Sequence, residues 1–145
     1  IDDEFIVDLT SVKLKPSYPT LHLWNPSKWK KLTDRRISNR RLLRKSLGEN
    51  KIASPMLGRL VGGGFNTPPG DDVFRPLENN SLTDAFAVSG TGWGHTYPAD
   101  YPVLRFDQIW SSSNLEPFKT TTQRIPESEH RMIIAEFEKP KPGRE

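Results

Sequence analysis

The sequence contains no cysteine, which excludes a disulfide framework, a thiol nucleophile and a zinc–thiolate centre together and leaves the redox compartment open. Hydrophobic residues are scarce: 34% of the chain, beside 27% charged residues, is enough to fill one core and no more. Long apolar runs are also lacking. Nothing approaches the roughly 20 consecutive apolar residues of a membrane helix, and Ile1-Asp2-Asp3-Glu4 has neither the basic end nor the apolar stretch of a secretory signal. A soluble chain with a single domain is the expectation. Charge of one sign is missing too: 21 Lys and Arg face 18 Asp and Glu, the net charge is +3, and charge alone names no partner. Turn formers are abundant instead. Thirteen Pro and ten Gly in 145 residues argue against a coiled coil or an all-helical bundle.

The pattern along the chain is mixed. In Phe5-Ile6-Val7-Asp8-Leu9, residues 5, 7 and 9 alternate to one face, and Val12-Lys13-Leu14 and Leu21-His22-Leu23 are similar short segments. Asn25-Pro26 is a capping side chain followed by proline at the first helical position, and Gly48 supplies a stop, so a helix is expected over 26–47. Its apolar stripe of Trp29, Leu32, Leu43 and Leu47 is interrupted by Arg36 and Arg40. Further strands are expected over 57–62, 104–111 and 131–137, joining 4–9, 12–15 and 19–24 in one largely antiparallel sheet. Short helices are expected over 71–77 and 82–86. Trp24, Trp29, Trp93 and Trp110 read as packing residues, as do Tyr97 and Phe106. Residues 1–138 form the domain and 139–145 a solvated tail.

Charge is concentrated in one place. Residues 28–51 hold ten Lys and Arg against Asp34 and Glu49, a local balance of +8 that leaves −5 for the rest. Such a cluster either faces phosphate groups or is a solvated helix face, and no interleaved aromatics suggest base stacking. The glycine run Gly62-Gly63-Gly64 at the end of a buried strand is a place where sites form. It matches neither the phosphate loop of nucleotide-binding proteins nor the dinucleotide fingerprint, because no Lys-Ser/Thr follows and Pro68-Pro69 forbids an immediate helix.

Four segments in order carry a family likeness. Gly63-Gly64-Phe65-Asn66-Thr67-Pro68-Pro69 resembles the Gly-Asp-Phe-Asn turn of the endonuclease/exonuclease/phosphatase superfamily, the fold of pancreatic deoxyribonuclease. Arg105-Phe106-Asp107-Gln108-Ile109-Trp110 resembles its Arg-Ile-Asp-Tyr-Ile strand, Ser128-Glu129-His130-Arg131 its Ser-Asp-His closing motif, and Leu21-His22-Leu23 its mid-domain His-Leu strand. The stretches 82–86 and 92–98 look like those of bacterial members. Each motif is short, and the ordered set is specific.

The resemblance extends over about residues 5–137 and matches only the C-terminal half of the family domain. It implies an α+β fold, half of a four-layer α/β/β/α sandwich, with one mixed, mostly antiparallel sheet and helices on one face. The other face is then apolar and open, to be covered by the missing N-terminal half or by a second copy. The implied chemistry is metal-dependent hydrolysis of a phosphate ester, nucleic acid being one candidate substrate, with Mg²⁺ as the cofactor. By resemblance, His130 is the catalytic histidine that contacts the phosphate, Asp107 the carboxylate that orients it, Asn66 a holder of water or phosphate, and His22 a second phosphate contact. A carboxylate inside an apolar strand also needs a partner on physical grounds, and His130 is the natural one for Asp107. Glu129 stands, one methylene longer, where the family has an Asp approaching the metal. Gly64 stands where the family has the Asp that orients or deprotonates water, and glycine does neither.

With Gly64 and without the family's N-terminal metal-binding Glu, the chain alone is expected to be weak or inactive, with weak Mg²⁺ binding or none. Metal-dependent hydrolysis by the unmodified chain would mean that another carboxylate, such as Asp71 or Asp100, takes over the lost role. The alternative is a non-catalytic module of the same family that binds phosphate or nucleic acid, and a third reading is a structural fragment without activity of its own.

Overall fold

The computed structural model of the protein describes residues 5–18, 24–48 and 57–138. Its longest element is helix α1, Pro26–Leu47. The Asn25 side chain accepts from the Ser27 N–H, Pro26 fills the first helical position, and the Gly48 N–H (φ 66°) bonds the Lys45 carbonyl, so both ends are where the sequence puts them. Arg44 and Lys45 in the last turn suit the negative end of the helix dipole. Leu43 and Leu47 are buried against the sheet. Between them and the helix start, Asn39 is fully buried and clamps the chain after the first strand: its amide donates to the Lys15 carbonyl at 2.8 Å and accepts from the Lys15 N–H at 3.3 Å. The interruption of the apolar stripe by Arg36 and Arg40 has a cause, since Arg36 pairs with Asp71 and Arg40 lies 3.6 Å from Asp72.

The main sheet has four strands in the order β1 (Ile6–Lys13), β2 (Leu57–Gly64), β4 (Asp107–Ser112) and β3 (Leu82–Asp84). β1 and β2 are parallel, with Leu9 opposite Leu60 and Val12 opposite Gly63. β4 is antiparallel to both β2, where Gly64 faces Asp107, and β3. A 3₁₀ turn at Asp72–Phe74 and the short helix α2 (Arg75–Asn79) join α1 over one face. Val12, Leu14, Leu43, Leu47, Val61, Phe65, Val73, Phe74, Leu77, Leu82 and Trp110 form one core there, with Phe74 stacked on Trp110 at 5.4 Å.

Several sequence expectations change in detail. The strands expected over 4–9 and 12–15 merge into one, β1, over residues 6–13, because Thr10-Ser11 is a polar step that the ladder to β2 carries through. The expected helix over 82–86 divides into β3 and helix α3 (Ala85–Ser89), with the Asp84 carboxylate capping α3 at Phe86 N–H (3.1 Å). Strand β5 (Pro117–Gln123) was not expected. Its Thr120-Thr121-Thr122 run has no apolar alternation, and it pairs with β6 (Met132–Phe137) in a two-stranded ladder separate from the main sheet. Of the four tryptophans only Trp110 is buried: Trp24 is 92% exposed, and Trp29 and Trp93 are also open. Residues 19–23 of the strand expected over 19–24, and the tail 139–145, lie outside the described residues.

Residues 59 and 61 of β2 face the helices, so Leu60 and its partner Leu9 look the other way. On that second face Val7 is 43% and Leu9 74% exposed. Among the described residues no helix is long and apolar enough to cross a membrane.

Two features of this frame are open to direct test. The Arg105 guanidinium makes a bidentate contact with the Asp84 carboxylate, at 2.8 and 2.5 Å, with both side chains almost buried and the guanidinium carbon 5.3 Å above the Phe86 ring. Arg105→Ala leaves Asp84 as an uncompensated buried charge and is expected to cost about 3–5 kcal/mol in chemical denaturation; a cost below about 1 kcal/mol contradicts that account. The second concerns backbone approach. A Cβ on Gly63 (φ 140°) would lie 2.1 Å from the Val12 carbonyl oxygen, whereas a Cβ on Gly64 meets nothing closer than 3.5 Å. Gly63→Ala is therefore expected to separate β1 from β2 at a cost of several kcal/mol, and Gly64→Ala to stay within about 1 kcal/mol of the parent. Equal costs for the two would contradict the register.

Candidate active site at the end of the sheet

Strand β2 runs out at Gly64, and the chain then turns sharply. The N–H groups of Phe65 and Asn66 both donate to the Phe106 carbonyl, at 2.8 and 3.3 Å, which ties the turn to the residue before β4. Asn66 has φ 49°, the left-handed region that asparagine tolerates better than most residues. Its amide donates to the Leu14 carbonyl at 2.8 Å, and Leu14 in turn donates its N–H to the Gly64 carbonyl. A buried polar chain supports this turn from below. Thr67 Oγ1 donates to the Phe65 carbonyl and lies 2.7 Å from Ser17 Oγ, while Gln108 donates to the Thr67 carbonyl and accepts from the Trp110 indole.

Asp107 opens β4 on the face opposite Gln108. Thr96, fully buried in the loop that precedes β4, accepts with its hydroxyl oxygen from the Phe106 and Asp107 N–H groups, each at 3.1 Å. The same loop is laced to the segment carrying His130. The Arg131 N–H donates to the Thr96 carbonyl at 2.7 Å, the Ala99 N–H to the Glu129 carbonyl at 2.8 Å, and the Arg131 guanidinium to the Ala99 carbonyl. Arg124 adds bonds to the Ile125 and Ser128 carbonyls and an ion pair with Asp100, and Ser128 Oγ accepts from the His130 N–H.

These contacts bring His130 Nδ1 to 2.6 Å from Asp107 Oδ2, with the imidazole about one-third exposed and the carboxylate mostly buried. An ionised carboxylate only accepts, so the proton of this bond sits on Nδ1, and Nε2 makes no hydrogen bond among the described residues. One side of the imidazole meets the Tyr97 ring at 4.9 Å. Tyr97 and Tyr18 both stack on the buried Phe106, at 5.5 and 4.7 Å, so the histidine stands on an aromatic base.

Of the residues singled out in the sequence, Asp107 and His130 are in contact, and Asn66 shares their end of the sheet through Phe106, with its amide spent on Leu14. Glu129 is exposed beside His130, and its side chain makes no hydrogen bond or ion pair among the described residues. His22 lies outside the described residues. Asp71 and Asp100 are not free to replace a lost carboxylate: Asp71 caps the 3₁₀ turn and pairs with Arg36, and Asp100 pairs with Arg124. Thr96, which lies inside the 92–98 stretch, and Arg124 are not singled out by the sequence, where no residue type or spacing announces their roles.

Whether these residues could seat a divalent cation can be judged from the donors. Among the described residues no three His, Asp or Glu side chains are grouped to hold a metal ion. Asp107 already serves His130, and Gly64, whose Cβ position lies 3.5 Å from Asp107 Oδ1, brings no carboxylate to the spot where one would fit. The described donors do not make a Mg²⁺ site by themselves.

Comparison with known proteins agrees with this geometry. No curated protein sequence matches the chain. Among solved structures, a functionally unknown conserved protein from Enterococcus faecalis V583 is similar over 90% of this chain and 49% of its own, with 15% identity and a TM-score of 0.62. The Bacteroides thetaiotaomicron VPI-5482 mannosyl-6-phosphatase is similar over 72% of this chain and 46% of its own (17% identity, TM-score 0.55). Humanized D. rerio TDP2 is similar over 91% and 55% (15% identity, TM-score 0.56). At these identities the likeness is one of fold, and the chain spans about half the length of each of these structures. The model of the Endonuclease/Exonuclease/phosphatase family matches residues 6–130. A chain matched over most of its length by that model, folded as half of the corresponding sandwich, belongs to the endonuclease/exonuclease/phosphatase family.

Proposed function

We propose that this chain is the C-terminal portion of a phosphoesterase, in which His130, oriented by Asp107, contacts the phosphoryl group and handles its protons. The observation that carries the reading is the 2.6 Å bond between His130 Nδ1 and Asp107 Oδ2 at the sheet end where the Asn66 turn arrives. With Nδ1 held by Asp107, a protonated imidazole offers Nε2–H to a phosphoryl oxygen, and the Asp107 charge balances the ion so formed. Asn66 keeps its amide oxygen for water or ligand while its nitrogen holds the turn. Gly64 contributes no group to position an attacking water. The carboxylates for that task, and for the metal on which the family chemistry depends, then come from the segment that completes the sandwich. That segment also covers Val7 and Leu9 on the open sheet face; a second copy of the chain is the other way to cover them. On its own the chain is weak or inactive.

One observation favours a binding role at the same end. Arg35 bonds the Pro16 carbonyl, Arg36 pairs with Asp71 and Asn39 clamps Lys15, so α1 is anchored level with the Asn66 turn. Residues 26–34 continue past that level by about 13 Å at 1.5 Å per residue. They carry Lys28, Lys30 and Lys31, exposed and without an ion pair among the described residues, against Asp34 alone. A cationic overhang beside a phosphate site suits a polyanionic substrate such as nucleic acid, and it serves a non-catalytic module equally well.

Two experiments separate these possibilities. Hydrolysis of bis(p-nitrophenyl) phosphate is expected to be undetectable for the chain alone. With a completing N-terminal segment and Mg²⁺, Gly64→Asp with Glu129→Asp should raise it, and His130→Ala should then lower it about 10²–10⁴-fold. Metal-dependent turnover by the unmodified chain alone, abolished by His130→Ala, would overturn the expectation of inactivity. Binding of a DNA oligonucleotide is expected to weaken steeply with salt. Changing Lys28, Lys30 and Lys31 to Gln should flatten the log–log slope by about 2–3, at about 0.9 per phosphate contact. Arg36→Gln should do less, because that guanidinium is already paired with Asp71. An unchanged slope in the triple variant would remove the overhang from the account.

A further inference from the structure

The Asp107–His130 bond joins residues from two distant stretches of chain, and one buried residue bonds the backbone of both, one through its side chain and the other through its carbonyl. Thr96 is fully buried. Its hydroxyl oxygen accepts from the Asp107 N–H and the Phe106 N–H, at 3.1 Å each, which fixes the strand position from which the Asp107 carboxylate projects. Its carbonyl accepts from the Arg131 N–H at 2.7 Å, one residue after His130. Its own N–H donates to the Leu104 carbonyl at 2.8 Å, which holds Thr96 against the approach to β4. The next residue, Tyr97, supplies the ring against which the imidazole leans at 4.9 Å.

We propose that Thr96 is the positioning residue of the Asp107–His130 pair, a role that rests on reading this pair as the phosphate-contacting site. The argument is geometric. A hydrogen bond of 2.6 Å between a carboxylate and an imidazole is sensitive to displacements of a few tenths of an ångström at either end. Two main-chain donors converging on one oxygen restrain the carboxylate end, and a main-chain bond to the same residue restrains the imidazole end. Serine keeps the oxygen that accepts the two bonds. Valine keeps the shape, removes the acceptor and leaves two N–H groups facing a methyl group. Buried hydroxyls elsewhere provide a comparison: Thr120 is equally buried, bonds the Ala85 carbonyl and Ser89, and makes none of these contacts to residues 107 or 131.

The test follows the ring proton of His130 by ¹⁵N-resolved NMR in the 145-residue chain. In the parent, the Nδ1 proton should be observable and slow to exchange with water. In Thr96→Val its exchange should accelerate about tenfold or more, the scale of weakening a charge-assisted hydrogen bond. Thr96→Ser should restore the parent value, and Thr120→Val, compared at matched distance from its unfolding midpoint, should leave the proton unchanged. If Thr96→Val unfolds the chain, Thr96→Ala in stabilising osmolyte with the same readout takes its place. Unchanged exchange in a folded Thr96 variant overturns the proposal, as does equal acceleration in Thr120→Val. Hydrolysis by the completed enzyme is scored separately. A proton that depends on Thr96 in a protein that never cleaves phosphate esters keeps the positioning role and ends the catalytic reading, whereas cleavage that persists when Thr96→Val leaves the proton unmoved does the reverse.

Discussion

The Phe106 carbonyl accepts main-chain N–H groups from both Phe65 and Asn66, and the arrangement of the whole sheet end follows from that junction. It lies where the glycine strand β2 stops pairing with β4, so it sets how far the Asn66 turn stands from Asp107. The Phe106 ring, buried between Tyr18 and Tyr97, provides the floor on which His130 rests through Tyr97. Close approach of β1 to β2 at Gly63 brings Leu14 within reach of both Gly64 and Asn66, so the parallel pair and the turn support each other. A packed core below and main-chain bonds above leave the candidate site little freedom, which is what a charge-assisted pair needs to keep its alignment.

The two faces of the sheet differ in kind. Toward α1 and α2 the side chains form a closed core, and charged residues there are paired: Arg59 meets Asp8 and the Leu47 carbonyl, and Arg105 meets Asp84. On the second face Val7 and Leu9 remain open among the described residues. In the family sandwich that face belongs to the other half, and the chain spans about half the length of the related structures. The proposed division of labour follows, with this half supplying the histidine, its carboxylate and the cationic approach, and the other supplying what Gly64 lacks.

Much of this was legible in the sequence, for identifiable reasons. Helix α1 was bounded to the residue because its signals are local: Asn25 and Pro26 at one end, Gly48 at the other. The pairing of Asp107 with His130 was legible because a carboxylate in an apolar strand requires a partner, and the family resemblance points to His130 as that partner. Periodicity placed Val7 and Leu9 on one face of a strand but carries no information about what covers that face. Strand β5 was missed because Thr120-Thr121-Thr122 earns its place through tertiary bonds, among them Thr120 to Ala85 and Ser89, that no alternation pattern announces. Trp24 and Trp93 suggest packing by residue type, yet they sit in exposed segments. Thr96 lies within the stretch 92–98 that resembles bacterial members, but its role is not legible there because it depends on two N–H groups ten and eleven residues away.

The central claim is that the sheet end bearing Asp107 and His130 is a phosphate site, and a titration of inorganic phosphate into the chain, followed through the imidazole resonances, tests it most directly. His95, whose ring lies 4.8 Å from that of Trp93, serves as the internal reference. The account predicts that the His130 ring signals move saturably in the millimolar range while those of His95 stay in place, and that Asp107→Asn weakens the response. Signals of His130 that do not move, or that move in step with those of His95, would contradict it.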